Sequence, residues 1–99
     1  MKKPRVMMVC GFGLGSSMIL KITVDGVLKE HGLGAETFCA DATTASGESY
    51  DMIFTSKEMA NLFKNTTKPV VVIENFLSKQ EVLDKGLPVL RKLIEELNP

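Results

Sequence analysis

The sequence predicts an α/β fold, a three-layer sandwich around a four-stranded parallel sheet in the order 2-1-3-4. Three observations support this. Short apolar runs such as Val6-Met7-Met8-Val9 and Val70-Val71-Val72-Ile73 do not alternate with polar residues, so they read as strands buried on both faces. Segments with helical apolar spacing lie between and after such runs, the pattern of a parallel sheet covered on both faces by helices. A glycine-rich turn joins the first strand to the first helix.

Residues 6–10 form the first strand. Residues 17–31 form a helix with Leu20, Val24, Val27 and Leu28 on its apolar face, widened by Met18 and Ile22. Gly26 sits inside it at a cost of about 1 kcal/mol relative to alanine. His31-Gly32-Leu33 has the form of a helix stop. Residues 35–40 are moderately apolar and suit an edge strand. Residues 41–49 are turn-rich, and residues 43–49 among them are a candidate for a loop closing over a site. Residues 51–55 form a third strand. Ser56 caps a short helix with Met59, Leu62 and Phe63 on one face. The run Val70 to Ile73, β-branched throughout, is the fourth strand. Ser78-Lys79-Gln80-Glu81 has capping-box spacing. Gly86 is expected to break the turn opened there, and Pro88 to open a final helix with Leu90, Leu93, Ile94 and Leu97 as its stripe. Right-handed crossovers give the strand order, and the reversal between strands 1 and 3 opens a crevice at their carboxyl ends. Cys10, residues 41–49, Thr55-Ser56 and Glu74-Asn75-Phe76 border that crevice.

At 99 residues the chain makes one domain, residues 1–99. Formal net charge is zero with no basic block, which argues against nucleic acid and anionic lipid as partners. Apolar stretches fall far short of the roughly 20 residues that span a bilayer, and no signal peptide is recognisable. Two cysteines are too few for a disulfide scaffold, so reduced thiols in the cytoplasm are expected. No Cys/His cluster has metal spacing, and neither a metal nor a cofactor is expected. His31, the only histidine, belongs at the end of its helix remote from Cys10. Cys39 reads as packing, near enough to Cys10 for incidental oxidative pairing. Lys57, Lys64 and Lys68 read as solvated surface.

The chemistry is concentrated in Cys10-Gly11-Phe12-Gly13-Leu14-Gly15-Ser16-Ser17. Glycines let backbone N–H groups turn inward, and a helix start adds unpaired donors and the positive end of a dipole. The same setting favours the thiolate form of a cysteine. Cys10 is therefore the candidate nucleophile, with Gly11, Phe12, Gly13, Leu14, Gly15, Ser16 and Ser17 holding the oxygens of a phosphoryl group. Ser16 and Ser17 suit helix capping as well. Phe12 and Leu14 suit either local packing or a landing spot for a partner. The spacing is not that of a dinucleotide fingerprint, and no lysine precedes Ser16 or Ser17 as a nucleotide-triphosphate loop requires. The turn is Rossmann-like or phosphatase-like in position: Cys-x5-Ser-Ser resembles the Cys-x5-Arg-Ser/Thr loop of cysteine-dependent phosphatases. Ser16, however, replaces the arginine that forks onto the transition-state oxygens. Hydrolysis also needs a general acid, for which Asp41 is the available proposal. A carrier that must accept, protect and surrender a phosphoryl group has no need of the arginine.

The run Val9-Cys10-Gly11-Phe12-Gly13-Leu14-Gly15-Ser16-Ser17-Met18, with the element order and length, resembles the enzyme IIB component of the phosphoenolpyruvate-dependent sugar phosphotransferase system (PTS), in the ascorbate/lactose superfamily. The ascorbate-type members are the most similar around the cysteine. The resemblance implies that Cys10 takes phosphate from a phosphohistidine on enzyme IIA. It would pass the group to a sugar, of L-ascorbate type, as the membrane enzyme IIC imports it, with residues 11–17 binding the phosphate. Two alternatives stay open: a low-molecular-weight-type cysteine phosphatase, and a non-catalytic regulatory or binding module with the same loop.

Overall fold

The computed structural model describes residues 2–10 and 14–99, with the side chain of Leu14 excepted. Four strands, β1 (Arg5–Val9), β2 (Glu36–Ala40), β3 (Met52–Thr55) and β4 (Val70–Val72), form one parallel sheet in the order β2-β1-β3-β4. Two α-helices accompany it, α1 (Leu14–Glu30) and α2 (Lys79–Leu97). The order expected from the crossovers is therefore the order found.

Alternation along the central strands divides the core in two. Val6, Met8, Met52, Phe54, Val71 and Ile73 face α1 and α2, where they meet Leu20, Val24, Val27, Leu28, Val82, Leu87 and Leu90. Met7, Val9 and Ile53 face the other way, against Ala40, Ala45 and Phe63. The second outer layer was expected to be helical. Instead, two 3-10 turns, Ala45–Gly47 and Ala60–Phe63, cover that face through Ala45 and Phe63. Topology explains the asymmetry. Strand order grows leftward through β2 and rightward through β3 and β4, so right-handed connections put α1 on one face and the later two on the other. Those later links are short and close as 3-10 turns. After β4 no crossover remains, and α2 returns to pack beside α1.

Two expectations for α1 change in detail. Helix α1 starts at Leu14, three residues before Ser17, so Ser16 and Ser17 lie inside its first turn and do not cap it. Met18 and Ile22 are exposed (49% and 66%), not part of the core face. The end of α1 is as read: Gly32 adopts φ 65°, its N–H bonds to the Lys29 carbonyl, and the Leu33 N–H bonds to that of Leu28.

Helix α2 runs unbroken through Gly86 and Pro88. Gly86 is buried against β3, and a Cβ there would clash with the ring of Phe54. Pro88 is exposed, so the Asp84 carbonyl that loses its donor stays near solvent. Burial of Val82, Leu87 and Leu90 holds the helix together across both residues.

Candidate functional site

The carboxyl ends of β1, β3 and β4 and the amino end of α1 meet around a cavity of about 300 Å³. It is lined by Cys10, Ser16, Ser56, Lys57, Glu58, Ile73, Glu74 and Phe76. Cys10, one residue past β1, is only 3% exposed and forms part of the cavity wall. Ser16 contributes from the first turn of α1.

Of the residues predicted to bind phosphate, Ser16 borders the cavity and Ser17 is fully buried behind it. Gly15 lies in the first turn of α1, where a Cβ would meet nothing within 4 Å. Among the described residues, then, packing does not require a glycine here. The backbone of Leu14 opens α1, while Gly11, Phe12 and Gly13 lie outside the described residues. Lys57, expected only as solvated surface, is exposed, but at the cavity, which Glu58 and Glu74 also line.

Thr55 was expected only as a border residue, and its part is larger. It is fully buried at the end of β3, and its hydroxyl donates to the Val9 carbonyl at 2.8 Å. The Ile73 N–H bonds to the Thr55 carbonyl at 2.9 Å.

The wall formed by residues 74–76 is held from both helices. Thr23 Oγ1 donates to the Phe76 carbonyl at 2.6 Å. Ser78 caps α2 by accepting from the Glu81 N–H. Glu81 does not close a reciprocal capping box. It reaches farther back and accepts from the N–H groups of Glu74 (2.7 Å) and Asn75 (2.9 Å), and from Lys85 Nζ (2.6 Å). Partial burial pushes the Glu81 carboxyl upward. The Glu74 amide, the Lys85 ammonium and the Asn75 amide outweigh that and hold it at about 2, from an ordinary 4.5. A depressed carboxyl stabilises the fold above its unfolded value and ceases to as pH falls through the folded one. Glu81→Gln is therefore expected to cost about 1 kcal/mol at neutral pH after solvent screening. Urea midpoints of the two proteins should converge as pH falls from 4.5 to about 2. A gap independent of pH would show that the charge is not what counts.

Asp41 is occupied elsewhere. Its carboxylate accepts from the amides and hydroxyls of Thr43 and Thr44. The Thr43 hydroxyl, then the Thr44 amide and hydroxyl, hold its carboxyl below the usual range, the opposite of what a general acid needs. Nor do residues 43–49 form a lid in this structure. Ala45 is buried against the 3-10 face, and Ser46, Glu48 and Ser49 border a separate cavity with Asp51 and Lys68. Asp51 exchanges backbone and carboxylate bonds with Arg5 at the amino end of β1, the sheet edge remote from Cys10.

His31, just beyond the carboxyl end of α1, is exposed and remote from the cavity. Both cysteines are free. Register pairs Cys39 with Met8, two residues before Cys10, and parallel-strand geometry then sets the two cysteine Cα atoms roughly 8 Å apart. That is at or beyond the reach of a disulfide, and pairing needs backbone movement. Among the described residues no group of three His, Cys, Asp or Glu is placed to hold a metal ion, and no helix is long and apolar enough to cross a membrane.

Comparisons with known proteins bear on this arrangement. The family model of the PTS system lactose/cellobiose-specific IIB subunit matches residues 5–85. The ascorbate-specific PTS system EIIB component of Mycoplasma pneumoniae is 30% identical over 84 residues, covering 82% of this chain and 88% of the relative. The lactose-specific IIB component domain of the PTS from Streptococcus pneumoniae shares the fold. Its TM-score is 0.55 at 14% identity, over 95% of this chain and 97% of that one. A sheet ordered β2-β1-β3-β4, and a sequence match running from β1 into α2, agree: this chain belongs to the lactose/cellobiose-specific IIB subunit family and is a IIB component of a sugar phosphotransferase system.

Proposed function

We propose that the chain, one IIB domain over residues 1–99 working in the cytoplasm, carries a phosphoryl group on Cys10. The observation behind this reading is the position of Cys10 in the wall of a 300 Å³ cavity, where three parallel strands end and α1 begins. Residues 11–17 are the proposed phosphate-binding segment. In the first step the Cys10 thiolate attacks the phosphorus of a phosphohistidine on enzyme IIA. The S–P bond forms, the P–N bond breaks, and the imidazole nitrogen keeps the electron pair and takes up a proton. In the second step a sugar hydroxyl attacks the same phosphorus while enzyme IIC holds the sugar. The P–O bond forms, the P–S bond breaks, and the thiolate leaves as the hydroxyl proton is released.

Two features favour a carrier over a phosphatase. No arginine stands at position 16, and Asp41 is tied up as an ionised turn acceptor. Exposed apolar side chains suit docking of protein partners: Met18, Ile19 and Ile22 are exposed on α1, and Leu77, next in sequence to Phe76, is 77% exposed. For the sugar, the ascorbate-specific relative supports an L-ascorbate-type acceptor and the family description a disaccharide. Transfer to L-ascorbate, cellobiose and lactose with the matching enzyme IIC separates them. The test of the reading itself is incubation with phosphoenolpyruvate, the general phosphotransferase proteins and enzyme IIA, followed by peptide mass spectrometry. One phosphoryl group on the Cys10 peptide is expected. An unmodified Cys10, with phosphate elsewhere or nowhere, would refute it.

A further inference from the structure

Three strands each contribute a residue to the wall of the Cys10 cavity: Cys10 after β1, Ser56 after β3 and Ile73 after β4. Thr55 is bonded to all three of these strand ends. Its hydroxyl donates to the carbonyl of Val9, the residue that precedes Cys10 (2.8 Å). Its own carbonyl accepts from the Ile73 N–H (2.9 Å), and its peptide bond leads into Ser56. The side chain is fully buried. We infer that Thr55 is a positioning residue for phosphoryl transfer, fixing the Val9–Cys10 peptide plane and with it the direction of the Cys10 sulfur into the cavity.

The physical argument is geometric. A carbonyl held by a hydrogen bond cannot rotate about the strand axis, and the N–H on the far side of the same planar peptide belongs to Cys10. In-line displacement at phosphorus tolerates little misplacement of the nucleophile, and an error of about 1 Å is worth on the order of 100-fold in rate. Strand β1 ends at Val9, and from there ladder hydrogen bonds no longer dictate orientation. A side-chain donor at the last paired position, Val9 opposite Thr55, supplies the restraint where the ladder stops.

This inference rests on the reading of Cys10 as the phosphoryl carrier, and the experiment separates the two. Wild type, Thr55→Val and Thr55→Ser are phosphorylated by phosphoenolpyruvate through enzyme IIA, under conditions where urea titration shows each fully folded. Single-turnover rates are measured against enzyme IIA concentration. Thr55→Val, which keeps the shape and loses the hydroxyl, is expected to lower the saturating rate at least tenfold with the half-saturating concentration unchanged. Thr55→Ser is expected to stay within threefold of wild type. Equal saturating rates for Thr55→Val and wild type would overturn the inference, as would a serine variant as slow as the valine one. Wild type unmodified at Cys10 would instead defeat the underlying reading. Should Thr55→Val not fold, Thr55→Ala is measured in its place against the same tenfold expectation.

Discussion

Cys10→Ser is expected to lower phosphoryl transfer from enzyme IIA to sugar by at least about 10³-fold while leaving the fold in place. The two side chains differ by one atom, so steric change is negligible. The chemistry changes entirely, because a serine hydroxyl is a far weaker nucleophile than a cysteine sulfur. Loss of a nucleophile typically removes nearly all the rate that a site supplies. Stability should move by less than about 1 kcal/mol, since Cys10 borders a cavity that water can enter and a hydroxyl there need not go unpartnered. The measurement is a coupled sugar-phosphorylation assay, with circular dichroism and urea titration as the fold control. Cys39→Ser serves as the matched comparison: its thiol packs partly buried on β2, in register with Met8, and its loss should leave transfer within twofold. A Cys10→Ser protein that transfers phosphate at the wild-type rate would place the carrier elsewhere in the chain.

How much of the structure is legible in the sequence depends on how local each cause is. Short apolar runs that do not alternate mark the strands of a parallel sheet, and β1 and β3 at its centre and β4 at its edge all lie within a residue or so of the expected bounds. The stop at Gly32 is equally local, since one positive φ suffices. The site's framework was visible for the same reason: Cys10, Ser16, Ser56, Glu74 and Phe76 all come after strands or open a helix, and parallel topology gathers such positions at one edge. The misreadings concern contacts between distant parts of the chain. Met18 and Ile22 match the helical apolar stripe, and periodicity cannot tell a core-facing methionine from an exposed one. Glu81 has the spacing of a capping box, but its partners at residues 74 and 75 depend on how the loop before α2 folds back. The Thr55 hydroxyl is one more strand threonine until register sets it against Val9.

Gly86 is the plainest instance of such a distant cause, and its replacement is expected to have the largest effect on stability. Glycine in a helix interior is normally a liability, and alanine there is worth about 1 kcal/mol. At Gly26 in α1 that rule should hold. A Cβ would come 3.3 Å from Lys79 Cε, the far end of a flexible side chain paired at the surface with Glu30, which can move aside. Gly26→Ala should therefore stabilise the protein by about 0.5–1 kcal/mol. At Gly86 the sign reverses. A Cβ would sit 2.4 Å from Phe54 Cζ and 2.5 Å from Cε1, and Phe54 is 1% exposed at the centre of the sheet. Relief requires α2 to lift away from β3 or the ring to leave its place among Val6, Met8, Val71 and Ile73, and close-packed cores accept neither cheaply. Gly86→Ala should lose about 2 kcal/mol or more net of the helical gain, a large share of the roughly 5–15 kcal/mol of a small domain. Gly86→Val should not fold. Phe54→Leu removes the clashing ring atoms, so adding it to Gly86→Ala should cost less than its effect alone, with a favourable coupling of about 1 kcal/mol or more. Urea unfolding of the four members of that cycle is the measurement. Additive losses would mean that the glycine serves the helix backbone; positive coupling assigns it to the passage of α2 over Phe54.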